Sequence, residues 1–81
     1  MAFELFTDAI LTADLPDKDL RTGDVGTIVE RHAVPGTEEG YSVEFFDMTG
    51  QTVAVVTVPA KMLRAPTKAD RPAVRGLAAR A

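Results

Sequence analysis

Three groups of side chains have the types and spacing to do chemistry. The first is His32, the lone histidine, with Glu30 two residues before it and Glu44 on what reads as the neighbouring strand. A zinc site wants three or four such ligands, so the expectation is a solvated histidine at a strand end and no metal. Ser42 is the only serine. Its one available base is His32, and no evident loop offers an oxyanion hole, so nucleophilic catalysis is not expected. The second group is the crowd of carboxylates Asp14, Asp17, Asp19 and Asp24. Without a pocket to raise one pKa above the others, they read as a solvated acidic rim and not as an acid–base pair. The third is Gly23-Asp24-Val25-Gly26-Thr27-Ile28-Val29. It looks like a phosphate loop but lacks the lysine and the helix start that a phosphate cradle needs. The chain is therefore expected to be no enzyme and to hold no cofactor.

Composition narrows the field further. At 81 residues with no cysteine, the chain holds one domain at most and has no disulfide framework, thiolate metal site or cysteine nucleophile. The missing cysteines, the absence of a basic n-region near Met1, and the lack of any apolar run of about 20 residues imply a cytoplasmic protein without membrane contact. Nine basic against twelve acidic side chains give a net charge of −3, which disfavours simple affinity for nucleic acid. That sum hides a division. Residues 66–81 carry Lys68, Arg71, Arg75 and Arg80 against Asp70 alone, a net +3, which leaves −6 on residues 1–65. Two prolines and an Ala/Arg-rich end mark residues 66–81 as a basic tail, disordered when free; it is expected to fold on a partner, pair with the acidic loops or stay loose.

The elements that must carry these groups are strands. Ala9 to Thr12 suits a first strand, and Asp14 to Asp24 is rich in turn formers, an ordered loop pinned by Leu15 and Leu20. Val25 to His32 is β-branched, with Gly26 at a bend or a close backbone approach. Pro35-Gly36 opens a hairpin loop. Tyr41 to Asp47 alternates, with Tyr41, Val43 and Phe45 on one face and Ser42, Glu44 and Phe46 on the other. A turn at Asp47 to Gln51, with Gly50 left-handed, leads to a strand from Thr52 to Val58 stopped by Pro59. One short helical turn at Ala60 to Leu63 precedes a stub at Leu63-Arg64. Five short strands, one long loop, two hairpins and one helical turn predict an all-β fold: a small, half-open, five-stranded SH3-like barrel over residues 1–65, followed by the flexible tail. The expected core is Leu11, Leu15, Leu20, Val25, Ile28, Val43, Phe45, Ala54, Val56 and Leu63. Edges near Phe3 and at Val53 to Val58 offer a route to a homodimer.

For function, the acidic rim is the most informative feature. Asp14, Asp17, Asp19, Asp24, Glu38 and Glu39 fall in two loops that flank a shared shallow groove in a barrel of this type, where they would attract a basic partner. Phe46, beside Glu44 and Asp47, is an aromatic on the polar face of its strand. It reads either as an interface anchor or as a residue covered by the tail or by Phe3 and Phe6.

Several strings carry a family resemblance. Asp8-Ala9-Ile10-Leu11, Asp14-Leu15-Pro16, Leu20 to Glu30, Tyr41 to Phe45 with Asp47 and Gly50, and Ala54 to Thr57, in that order, resemble the small bacterial family known as domain of unknown function 4926. The match covers about residues 4–65 and leaves out the tail. The resemblance implies a non-enzymatic SH3-like β-barrel of the kind suspected as the neutralising partner in a toxin–antitoxin or immunity pair, and it brings no catalytic residues. The expected function is thus a protein-binding module, an antitoxin or immunity-type inhibitor covering a basic, toxin-like partner. Two alternatives stand beside it. The Gly23 to Val29 string also resembles the KOW-type glycine pattern of RNA-associated barrels, with the tail supplying phosphate contacts. A looser similarity to nitrile hydratase subunits points to an accessory subunit of a larger enzyme.

Overall fold

The computed structural model describes residues 3–76. Five strands, β1 (Asp8–Leu11), β2 (Val25–His32), β3 (Gly40–Phe46), β4 (Thr52–Pro59) and β5 (Leu63–Arg64), form one antiparallel sheet in the order β4-β3-β2-β1-β5. β4 and β5 are the two edges, yet only the 3₁₀ turn Ala60–Met62 separates them in the chain. Three residues of 3₁₀ helix advance about 6 Å, whereas the edges of a flat five-stranded sheet would lie about 19 Å apart. The sheet must curl, and it does so as a half-barrel.

The expected strands appear with ends shifted by at most a residue or so. The long β1–β2 loop adds a 3₁₀ turn at Pro16–Lys18 that propensity does not announce. Leu15 and Leu20 bridge its two legs, with Leu15 N–H donating to the Leu20 carbonyl at 2.9 Å. The core comprises Ala9, Leu11, Leu20, Ile28, Tyr41, Val43, Phe45, Val56, Val58 and Leu63, with Leu15 and Ala54 half-buried against it.

Two expectations are corrected. Val25 is not a core residue but 49% exposed. On β2 it is Gly26 and Ile28 that face inward, and the two-residue period then forces Val25 outward. Gly26 is needed there because a Cβ would lie 2.6 Å from Val43 Cγ1 and 2.9 Å from the Glu44 carbonyl oxygen. The second correction concerns the edges. β4 is an exposed edge, but the other edge is β5 and not the segment near Phe3. Phe3 instead stacks edge-on against Tyr41, with ring centroids 5.2 Å apart at 84°.

Candidate functional site

The two acidic loops converge on one end of the barrel. At the C-terminal end of β4, the Ala60 N–H donates to the Glu39 carbonyl at 2.9 Å. Alongside it, Leu15 to Lys18 of the β1–β2 loop form one wall of a shallow cleft whose other wall is Val56 to Val58. This cleft runs between the β1–β2 loop, with Asp17 on its lip, and β4, and the loop that carries Glu38 and Glu39 lines none of it.

The carboxylates divide by what they touch. Asp14 accepts hydrogen bonds from Thr22 N–H at 2.8 Å and Thr22 Oγ1 at 3.0 Å, which tie the two legs of the loop together. Asp24 accepts Arg21 N–H at 2.9 Å and the Arg75 guanidinium at 2.7 Å. Glu39 accepts Arg31 at 2.8 Å and also the Tyr41 hydroxyl, which in turn accepts Phe3 N–H at 2.9 Å. Asp17, Asp19 and Glu38 have exposed side chains with no hydrogen bond or ion pair among the described residues. Three of the six rim carboxylates thus hold the loops in shape, and three carry no such contact among the described residues.

Glu44, Phe46 and Asp47 belong to a different place. Glu44 accepts from Thr52 Oγ1. Asp47 builds the β3–β4 turn, accepting Thr49 N–H at 2.9 Å and Gln51 N–H at 3.0 Å around a left-handed Gly50. Phe46 is 44% exposed on the outer sheet face, near Val53 and Val55. It is covered by neither Phe3, which packs on Tyr41, nor Phe6, itself exposed. The length of β3, about 20 Å, separates this apolar patch from the acidic end. The expected site is two surfaces, not one.

His32 and Ser42 do meet. His32 Nε2 lies 2.8 Å from Ser42 Oγ, which lies 2.8 Å from Thr57 Oγ1, a polar ladder across β2, β3 and β4. The pair lacks the geometry of a catalytic triad. Glu30 approaches the same imidazole nitrogen, at 3.7 Å, instead of orienting the other one. Among the described residues, no three His, Asp or Glu side chains gather as a metal would require, because Glu44 turns to Thr52. Nor is any helix long and apolar enough to cross a membrane.

The tail residues act largely on each other and on the body. Asp70 receives Arg64 in a two-pronged pair at 2.7 and 2.9 Å, along with Thr67 N–H at 2.7 Å. Arg71 donates to the carbonyls of Lys68 and Asp70 at 2.6 and 2.9 Å. Arg75 reaches Asp24, and the Lys68 side chain is exposed. Arg80 lies outside the described residues.

These contacts set the acid response. The Arg64 guanidinium and the Thr67 N–H hold the Asp70 carboxyl far below the usual carboxylate range. Thr22 N–H lowers Asp14, Arg31 lowers Glu39, and the Thr49 hydroxyl lowers Asp47. Partial burial pushes Asp24 up, but the Arg75 and Arg21 contacts outweigh it and the net direction is down. Each group binds its proton more weakly when folded than in an unfolded chain, where carboxyls titrate near 4. Their stabilisation is complete above about pH 5 and is lost as pH falls through the folded values. The urea midpoint should therefore be flat from pH 7 to 5 and drop from pH 4 to 2, with Asp70→Asn making the drop shallower. A midpoint that rises on acidification would contradict the pairing.

Comparison with curated proteins and with solved structures finds no match. Residues 5–65, spanning all five strands and both acidic loops, match the family model described as a domain of unknown function, DUF4926, and the chain belongs to that family.

Proposed function

We propose that this protein is a non-catalytic protein-binding module that takes a basic partner at the end of the barrel where its two acidic loops meet. It covers that partner's surface as an antitoxin or immunity-type inhibitor would, in the cytoplasm. One observation carries the reading: Asp17, Asp19 and Glu38 remain unengaged among the described residues, in loops that hydrogen bonds of their neighbours Asp14, Asp24 and Glu39 tie down. Loops ordered before binding cost less entropy on association, and their like charge raises the encounter rate with a cationic surface.

A second reading rests on β4. It is an eight-residue edge strand, and residues 51–60 carry no charge. Natural edges are usually guarded by charge or by proline; this one has a proline only at its last position, so the stretch from Thr52 to Val58 suits antiparallel pairing with a second copy.

Capture from a lysate of the protein's own host decides between these. Immobilised protein should retain a basic protein at about 50 mM salt and release it by about 300 mM, because exposed charge pairs are screened over about 10 Å at 0.1 M. Retention of RNA alone, or of no basic protein at low salt, would overturn the proposal. Concentration-dependent doubling of the mass without capture would favour self-pairing.

A further inference from the structure

The C-terminal segment returns to the acidic loop and places an arginine in it. Arg75 Nη2 and Nε donate to the two carboxylate oxygens of Asp24 at 2.7 and 3.2 Å, and Nη2 also donates to the Asp19 carbonyl at 3.2 Å. The receiving groups are fixed by the loop's own backbone and not by the arginine. Arg21 N–H donates to Asp24 Oδ2, and Asp24 N–H to the Arg21 carbonyl, both at 2.9 Å. Asp19 closes the 3₁₀ turn at φ 56°, its N–H donating to the Pro16 carbonyl at 3.1 Å. The segment is steered there by a second pair, since Arg64 on β5 grips Asp70 and holds the Thr67–Asp70 turn against the barrel.

We propose that this segment is an autoinhibitory strap: Arg75 occupies the acidic β1–β2 loop in the free protein, and an arginine of the basic partner displaces it. The inference rests on the basic-partner reading and adds its regulation. A planar guanidinium fork fits a carboxylate with a carbonyl beside it, whereas a lysine ammonium is a point charge without that fork. The strap is also weak enough to open. Its ion pair is only partly sheltered, with side-chain exposures of 32% for Arg75 and 22% for Asp24, and pairs of this kind shift an equilibrium only severalfold. Tethering nevertheless keeps Arg75 at a high local concentration, so a competing arginine must outbid it. Removing Arg75 should tighten partner binding by about two- to sixfold.

The test titrates full-length protein with a hexaarginine and a hexalysine peptide at about 50 mM salt, comparing wild type with Arg75→Ala. Arg75 is on the surface, so the variant should keep the fold. The expected result is hexaarginine binding about two- to sixfold tighter to the variant, with hexalysine bound more weakly than hexaarginine by both forms. Unchanged hexaarginine affinity in Arg75→Ala, or hexalysine bound as tightly as hexaarginine, would overturn the strap while leaving the basic-partner reading standing. If neither peptide binds either form, the basic-partner reading falls and the strap falls with it.

Discussion

Tyr41→Ala should unfold a large fraction of the protein at room temperature. Tyr41 is wholly buried and is among the largest fully buried side chains of the core. Its ring carries Phe3 edge-on, and its hydroxyl joins Phe3 N–H to Glu39, which Arg31 holds from the other side. Truncation leaves a cavity the size of an aromatic ring, at a cost of about 3–5 kcal/mol. It also strips Phe3 and Glu39 of a partner. A domain this small sits low in the usual range of about 5–15 kcal/mol, so the loss consumes most of its stability. Tyr41→Phe keeps the ring and loses only the hydroxyl contacts, worth about 1 kcal/mol. Urea denaturation of the two variants separates the contributions. If Tyr41→Ala lost no more than Tyr41→Phe, packing around this ring would not be what holds the barrel together.

How far the sequence foretells this arrangement depends on whether the deciding contact is local. Strand ends were readable because glycine and proline punctuate them: Gly23 before β2, Gly50 before β4, Pro59 at its end. The turn role of Asp47 was equally local, a carboxylate two residues before a threonine. The inward face of β2 was not. Val25 and Ile28 have opposite parity on a strand, so they could not both be core, and the choice fell to Gly26 because Val43 and Phe45 crowd it from β3. Tyr41 was placed on the right face, yet its full burial depends on Phe3, 38 residues away, whose ring packs on it and whose N–H donates to its hydroxyl. The division of the acidic rim follows the same rule. Asp14 pairs with Thr22 within one loop, but Asp24 is taken by Arg75, 51 residues later. The separation of Phe46 from the loops follows from the length of β3, which the strand assignment already contained.

The second large effect is on binding, and it tests the division of the surface into an acidic end and an apolar face. Asp17→Lys with Glu38→Lys changes one exposed carboxylate in each loop and adds four units of positive charge. Neither residue has the left-handed backbone of Asp19, and neither side chain holds the fold together, so stability should change little. At the strength of exposed charge pairs, reversal at two contacting positions should weaken a basic partner by about tenfold or more at low salt. Phe46→Ala and Val55→Ala, on the outer sheet face, should leave that affinity within about twofold. The decisive measurement is thus the affinity of the captured basic partner for these two pairs of variants at about 50 mM salt. Loss confined to the loop-reversal variant places the partner on the acidic end; an unchanged affinity there, or a loss confined to Phe46→Ala and Val55→Ala, would contradict it.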